Sequence, residues 1–135
     1  MIPSVPAVLV DLAGKVMANA MPDANPTDRA ATLGLSAMLM GLAAEAWDGA
    51  AHNLVMENRA IRGLLARGAA YVPPPEERPE DDFRLSALAA ENARLRAALI
   101  TLQIAVEGRD EAMNDAIWAE LRASTERRKQ QGSAV

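Results

Sequence analysis

Apolar residues recur at three- and four-residue steps along most of this chain, and no segment alternates apolar and polar positions as a half-buried strand does. Four helices are expected. The first covers about 5–20, where Val5, Val8, Leu9, Leu12, Val16 and Met17 form an apolar stripe; Ser4 can cap it, and Pro6 suits a first turn. Met21 to Asn25 reads as a loop. Asn25-Pro26-Thr27-Asp28 then gives a cap, a first-turn proline and an acidic residue for the positive helix end. This opens a second helix over 26–67 that Gly68 stops, roughly 60 Å of helix at about 1.5 Å per residue. Gly34, Gly41, Gly49 and Gly63 each cost about 1 kcal/mol of helix propensity against alanine. That cost fits places where another helix comes close; a kink near Gly49 is the alternative.

Three consecutive prolines, Pro73 to Pro75, make 71–79 an extended linker. A third helix is expected over about 80–107, with Glu80, Asp81 and Asp82 at its positive end, and a fourth over about 111–129. Gly108 and Asp110 mark a break or a bend between them. In the fourth helix Met113, Ala116, Ile117 and Leu121 share a face, and Arg127, Arg128 and Lys129 sit at the negative end. Residues 131–135 are expected to form a disordered tail. The whole of 1–130 reads as a single helical domain.

Two of these helices carry heptad seams. Leu33, Ala37, Met40, Ala44, Trp47, Ala51, Leu54, Asn58, Ile61 and Leu65 follow alternating steps of four and three, as do Leu85, Leu88, Asn92, Leu95, Leu99, Leu102 and Val106. The phrase Glu57-Asn58-Arg59-Ala60-Ile61-Arg62 is echoed by Glu91-Asn92-Ala93-Arg94-Leu95-Arg96, with an asparagine inside each seam. A polar residue in such a seam costs stability but fixes register and partner. Asn58 and Asn92 are also equally distant from Pro75, so an antiparallel hairpin of the two helices would bring their amides together. The fold class expected is all-α, a long antiparallel hairpin or four-helix bundle completed by dimerisation. Leu54, Asn58, Ile61, Leu65, Leu88, Asn92, Leu95, Leu99 and Trp118 are the expected interface residues.

Composition narrows the chemistry. The 135 residues are half hydrophobic, only 3% aromatic and rich in alanine, which suits close helix packing better than a wide core. With no cysteine, disulfides, thiolate metal sites and cysteine nucleophiles are excluded. A net charge of -4 gives no electrostatic footprint for nucleic acid. The first residues lack the basic start of a secretory signal. The uncharged run between Arg29 and Glu45 is shorter than the roughly 18–20 residues that cross a bilayer, and reads as a buried core helix. A cytoplasmic protein without a membrane or nucleic-acid partner is expected, and the arginine- and alanine-rich composition suggests a bacterial source.

Catalytic signals are sparse. His52, the only histidine, lies one turn from Asp48 and near Glu45 on the second helix, a trio that could hold a divalent cation. Such residues also occur routinely on helix surfaces, and the Glu-x-x-His spacing of di-metal bundles is missing. Glu107, Glu111 and Asp115 stack at steps of four but read as a solvated face, and Glu76 to Asp82 lack the spacing of a calcium loop. Trp47 reads as core; Trp118, with Arg122 one turn on, is a candidate interface anchor. No phosphate loop or nucleophile motif occurs. The favoured reading is a non-catalytic helical assembly protein without a cofactor: an accessory subunit, scaffold or chaperone-like partner, most simply a homodimer. The alternatives are a metal-dependent helical enzyme using Glu45, Asp48 and His52, joined by Glu107 or Glu111, and a bundle holding an apolar ligand around Gly34 to Gly49.

Overall fold

The computed structural model describes residues 5–20, the Pro6 side chain excepted, and 25–129. Ser4, residues 21–24 of the expected loop, and the expected tail 131–135 lie outside the described residues. The protein is all-helical, with α1 (Val5–Asn19), α2 (Pro26–Arg67), α3 (Leu85–Val106) and α4 (Glu111–Arg127), and no strand among the described residues.

Local chemistry sets the helix ends. At the start of α2 the Asn25 Oδ1 accepts from the Thr27 N–H at 2.9 Å, while the Asn25 carbonyl accepts from Arg29 N–H at 2.8 Å. At its end the Gly68 N–H still donates to the Leu64 carbonyl, and the Gly68 carbonyl then accepts from Tyr71 and Val72, which turns the chain. A Cβ on Gly68 would lie 2.5 Å from the Leu102 side chain, so this stop is also a point of close packing.

The third helix starts at Leu85 rather than near 80. Two side chains explain the delay. The Glu80 carboxylate is held by Arg59, at 2.5 and 3.0 Å, and by Arg62 at 3.0 Å. Asp82 accepts from the backbone N–H of Arg84 at 3.1 Å and from its guanidinium. A side chain that bonds the backbone two residues on favours a turn over a helix. Gly108, at φ +71°, resolves the ambiguity at the other end. It breaks the chain between α3 and α4 in a conformation that costs other residues about 1–2 kcal/mol, and Asp110 caps α4 by accepting from Met113 N–H at 2.9 Å.

The chain divides into two compact units, one up to Gly49 and one of Ala50–Lys129, with α2 contributing to both.

In the second unit the contacts run in the same direction along α2 and α3. Asn92 bonds Asn58, 34 residues earlier, and Leu102 packs on Gly68 at the same offset. The two helices are parallel and in register, so the antiparallel hairpin expected from the sequence is replaced by a crossover. The linker makes this possible. The in-register start of α3 lies about 25 Å back along α2 from Gly68, at 1.5 Å per residue, and residues 68–84 reach roughly 50 Å when extended. Glu80 is fastened to Arg59 and Arg62 on the return path, and Val72 packs on the core. α4 runs the other way: its N-cap Asp110 accepts from Tyr71 Oη at 2.9 Å, and near its far end the Arg127 carbonyl accepts from Asn53 at 3.0 Å. The seam residues Ile61, Leu65, Leu95, Leu99, Leu102 and Val106 are buried together with Leu64, Met113 and Ile117. Each contributes on the order of 1.5–3 kcal/mol by leaving water.

The first unit is built differently. Its buried side chains among the described residues are Leu12, Ser36 and Ala43. Leu9, Val10, Val16 and Met17 on α1 and Leu33, Leu35, Met38, Met40 and Trp47 on α2 are exposed. The uncharged run of α2 is therefore not the buried core helix expected. An 18-residue window of α2 has a mean hydropathy of 1.3 and is 11% buried, so by length and composition alone it could cross a membrane.

Candidate functional site

Two features of α2 stand out: a closed polar and apolar seam downstream, and an open seam upstream. The downstream one is assigned by setting Asn58 and Asn92 at the a position of their heptads. Glu57 and Glu91 then occupy g, and Arg62 and Arg96 occupy e. Parallel helices in register bring each g position to the partner's e position five residues on, where opposite charges set orientation. Both crossed pairs form: Glu57 with Arg96 at 2.6 Å, and Glu91 with Arg62 at 3.0 Å. The echoed phrase of the sequence is the two halves of this motif. Between the pairs, the buried Asn92 amide donates to Asn58 Oδ1 at 2.9 Å, and the Asn58 amide donates to the Leu88 carbonyl at 3.2 Å. Satisfied amides in this setting cost stability relative to leucine but admit one register.

Glu57 is the centre of a larger cluster. Its side chain is 3% exposed. Ser124 donates to it at 2.8 Å, and Arg128 pairs with it at 2.5 Å, so α4 is bound to the same carboxylate as α3. Arg96 also donates to Ser124 at 3.2 Å. Burial raises the Glu57 pKa, but the hydrogen bonds from Ser124, Arg96, Asn92 and Arg128 outweigh it and hold the carboxyl at about 2. Glu91 is likewise held low, by Arg94 and, against a smaller burial effect, Arg62. These groups are mutually satisfied, and they act as a three-helix clasp.

Upstream, the same heptad assignment puts Leu33, Met40 and Trp47 at d and Ala37, Ala44 and Ala51 at a. The d residues are 44–55% exposed, and Ala37 and Ala44 are exposed as well. The buried Ser36 and Ala43 fall at g, on one flank of this seam. Gly34 and Gly41 fall at e on the other flank, where an added Cβ would meet nothing within 4 Å. Both glycines are exposed and leave a low, open surface.

The residues expected to form an interface divide accordingly. Asn58, Ile61, Leu65, Leu88, Asn92, Leu95 and Leu99 are buried by the chain's own helices, Leu54 is half-buried, and Trp118 is exposed at 46%. Glu45, Asp48 and His52 are all exposed on α2, as are Glu107, Glu111 and Asp115 near the α3–α4 turn. Among the described residues no group of three or more histidine, cysteine, aspartate or glutamate side chains is close enough to hold a metal ion. The depressions in the second unit are shallow: one between α2 and α4 is lined by Ala60, Leu64, Ala116, Ala119 and Ala123, and another by linker and α3 residues around Glu80 and Glu91. The sequence shows Glu57 only as part of the echoed phrase and Arg128 only as part of a basic helix end, and gives no sign that they meet. The g and e positions of the echoed phrase point to Glu57 and Arg96, provided the helices are taken as parallel; nothing local marks Ser124.

No family model matches the chain, nor does any curated protein or solved structure at a significant level.

Proposed function

We propose that the protein is a non-catalytic helical assembly module. In this reading the second unit is a self-sealed coiled coil that holds α2 in one register, and the first unit presents the contact surface. One observation carries it: large exposed apolar side chains crowd α1 and the upstream half of α2, while the matching seam downstream is closed within the chain. A helix apolar over most of its surface gains by being covered. The alternative of a metal enzyme draws no support from Glu45, Asp48 and His52, which are exposed and belong to no group of three close enough for a metal ion among the described residues.

Light scattering on a sizing column, with and without added magnesium or zinc, tests the proposal. The expected result is a mass of two or more chains that does not change with metal. A monomer across the accessible concentration range, or a mass that follows the metal, overturns it.

A further inference from the structure

We infer that the upstream seam of α2 is covered by the same seam of a second copy of this chain, with the two α2 helices antiparallel. The inference deepens the assembly reading and rests on it. Three observations select this occupant.

The first is continuity. Leu33 to Ala51 and Leu54 to Leu65 are one heptad seam on one uninterrupted helix. From Leu54 onward it meets a parallel helix of its own chain. That helix begins at Leu85, whose in-register position is residue 51, so upstream of that level α3 has no residues to offer. A seam of this kind is completed by another helix of matching period.

The second is shape. The upstream seam places every large residue at d (Leu33, Met40, Trp47) and every small one at a (Ala37, Ala44). Parallel, in-register copies would set Trp47 against Trp47 and Ala44 against Ala44, crowding some layers and emptying others. Antiparallel copies set each d against an a of the partner, so a large side chain meets an alanine in every layer, as interdigitated packing requires. The seam complements itself only in that orientation. Exposed Gly34 and Gly41 at e let the backbones come close.

The third is patterning, which weighs against a bilayer as the occupant. This stretch of α2 is long and apolar enough to cross one, but Leu33, Ala37, Met40, Ala44 and Trp47 alternate large and small along one line. A bilayer gains nothing from that alternation.

The chain has no cysteine, so introduced thiols report orientation directly. Full-length Met40→Cys protein is mixed with Ala37→Cys or Ala44→Cys protein under mild oxidation, and each is also oxidised alone. The expected result is a disulfide dimer in at least one mixture and none from Ala44→Cys alone. Trp47→Asp should weaken dimerisation by about 30-fold or more, the usual effect of losing an anchoring tryptophan. In that variant Trp118 is the sole tryptophan and reports an unchanged unfolding transition of the second unit. Cross-linking of Ala44→Cys alone would show a parallel dimer, overturning this inference while leaving the assembly reading intact. A monomer at about 100 μM overturns the second copy as occupant and the assembly reading with it, whereas a chain recovered only with phosphatidylcholine–phosphatidylglycerol vesicles in a flotation assay overturns the second copy as occupant. A metal-dependent mass overturns the assembly reading itself.

Discussion

The two units of this protein share a helix and a heptad seam but use them in opposite ways. From Leu54 onward the seam is filled with Leu, Ile and Asn, a parallel partner helix supplies the facing residues, and Glu57 ties α2 to both α3 and α4. Upstream the seam alternates alanine with Leu33, Met40 and Trp47, and those large side chains stay in solvent. The same periodicity thus serves internal cohesion in one region and leaves a surface in the other. What differs is whether the seam positions are covered, as they are from Ile61 onward and are not at Leu33, Met40 and Trp47. Heptad spacing reports that a helix has a long partner; it does not report where the partner comes from.

Substitutions can break or sharpen this contrast. The largest effect is expected at Glu57. Glu57→Ala leaves Arg96 and Ser124 without their acceptor, and should cost on the order of 3 kcal/mol in chemical denaturation of the second unit, since breaking a buried pair is expensive. Arg96 and Arg128 retain about a third of their exposure, which keeps the cost near the lower end of the range for such pairs.

Acid probes the same carboxylate without mutation. Glu57 titrates at about 2 in the folded chain, against an ordinary value of 4.5. Its contribution is therefore fully present above about pH 4.5 and is lost as pH falls towards 2. The loss should amount to roughly 2–3 kcal/mol, read from denaturation curves across that window. In Glu57→Gln protein this acid-dependent component should shrink by most of that amount.

The asparagine pair distinguishes specificity from stability. Asn58→Leu alone removes the Asn58 Oδ1 acceptor from the buried Asn92 amide and should destabilise by about 1–3 kcal/mol. Asn58→Leu with Asn92→Leu should recover that loss or exceed it, because two apolar residues replace two desolvated amides. A double variant less stable than the single would contradict the a-position assignment.

Gly68→Ala should cost about 1–3 kcal/mol, since its methyl would press on the fully buried Leu102. At the small end, Met38→Ser on the upstream half of α2 should change thermal stability of the chain by no more than about 0.5 kcal/mol, because that side chain is 58% exposed.

Much of the local structure was legible in the sequence, because it depends on neighbours in the chain. The Asn25-Pro26 start, the Gly68 stop, the proline linker and the Gly108 break all act within a few residues. The pairing of Asn58 with Asn92 was legible too, but through the wrong geometry. Equal distance from Pro75 suggested a hairpin, whereas the amides meet because two copies of one heptad phrase lie parallel and in register. Direction is set by the linker's reach and by the crossed pairs Glu57–Arg96 and Glu91–Arg62, which are long-range and carry no local signature. The late start of α3 has the same origin, since Glu80 is drawn to Arg59 and Arg62 on another helix. Period alone cannot separate the exposed Trp47 from the buried Ile61, because both occupy the same seam position.

The central claim is that one half of α2 is sealed within the chain and the other half awaits a second copy. Amide hydrogen exchange of the full-length protein, measured over a hundredfold range of concentration, tests it most directly. The account predicts that protection of residues 30–49 rises with concentration, while protection of 58–65, α3 and α4 stays constant. Concentration-independent exchange in 30–49, or a parallel rise in α3 and α4, would contradict it.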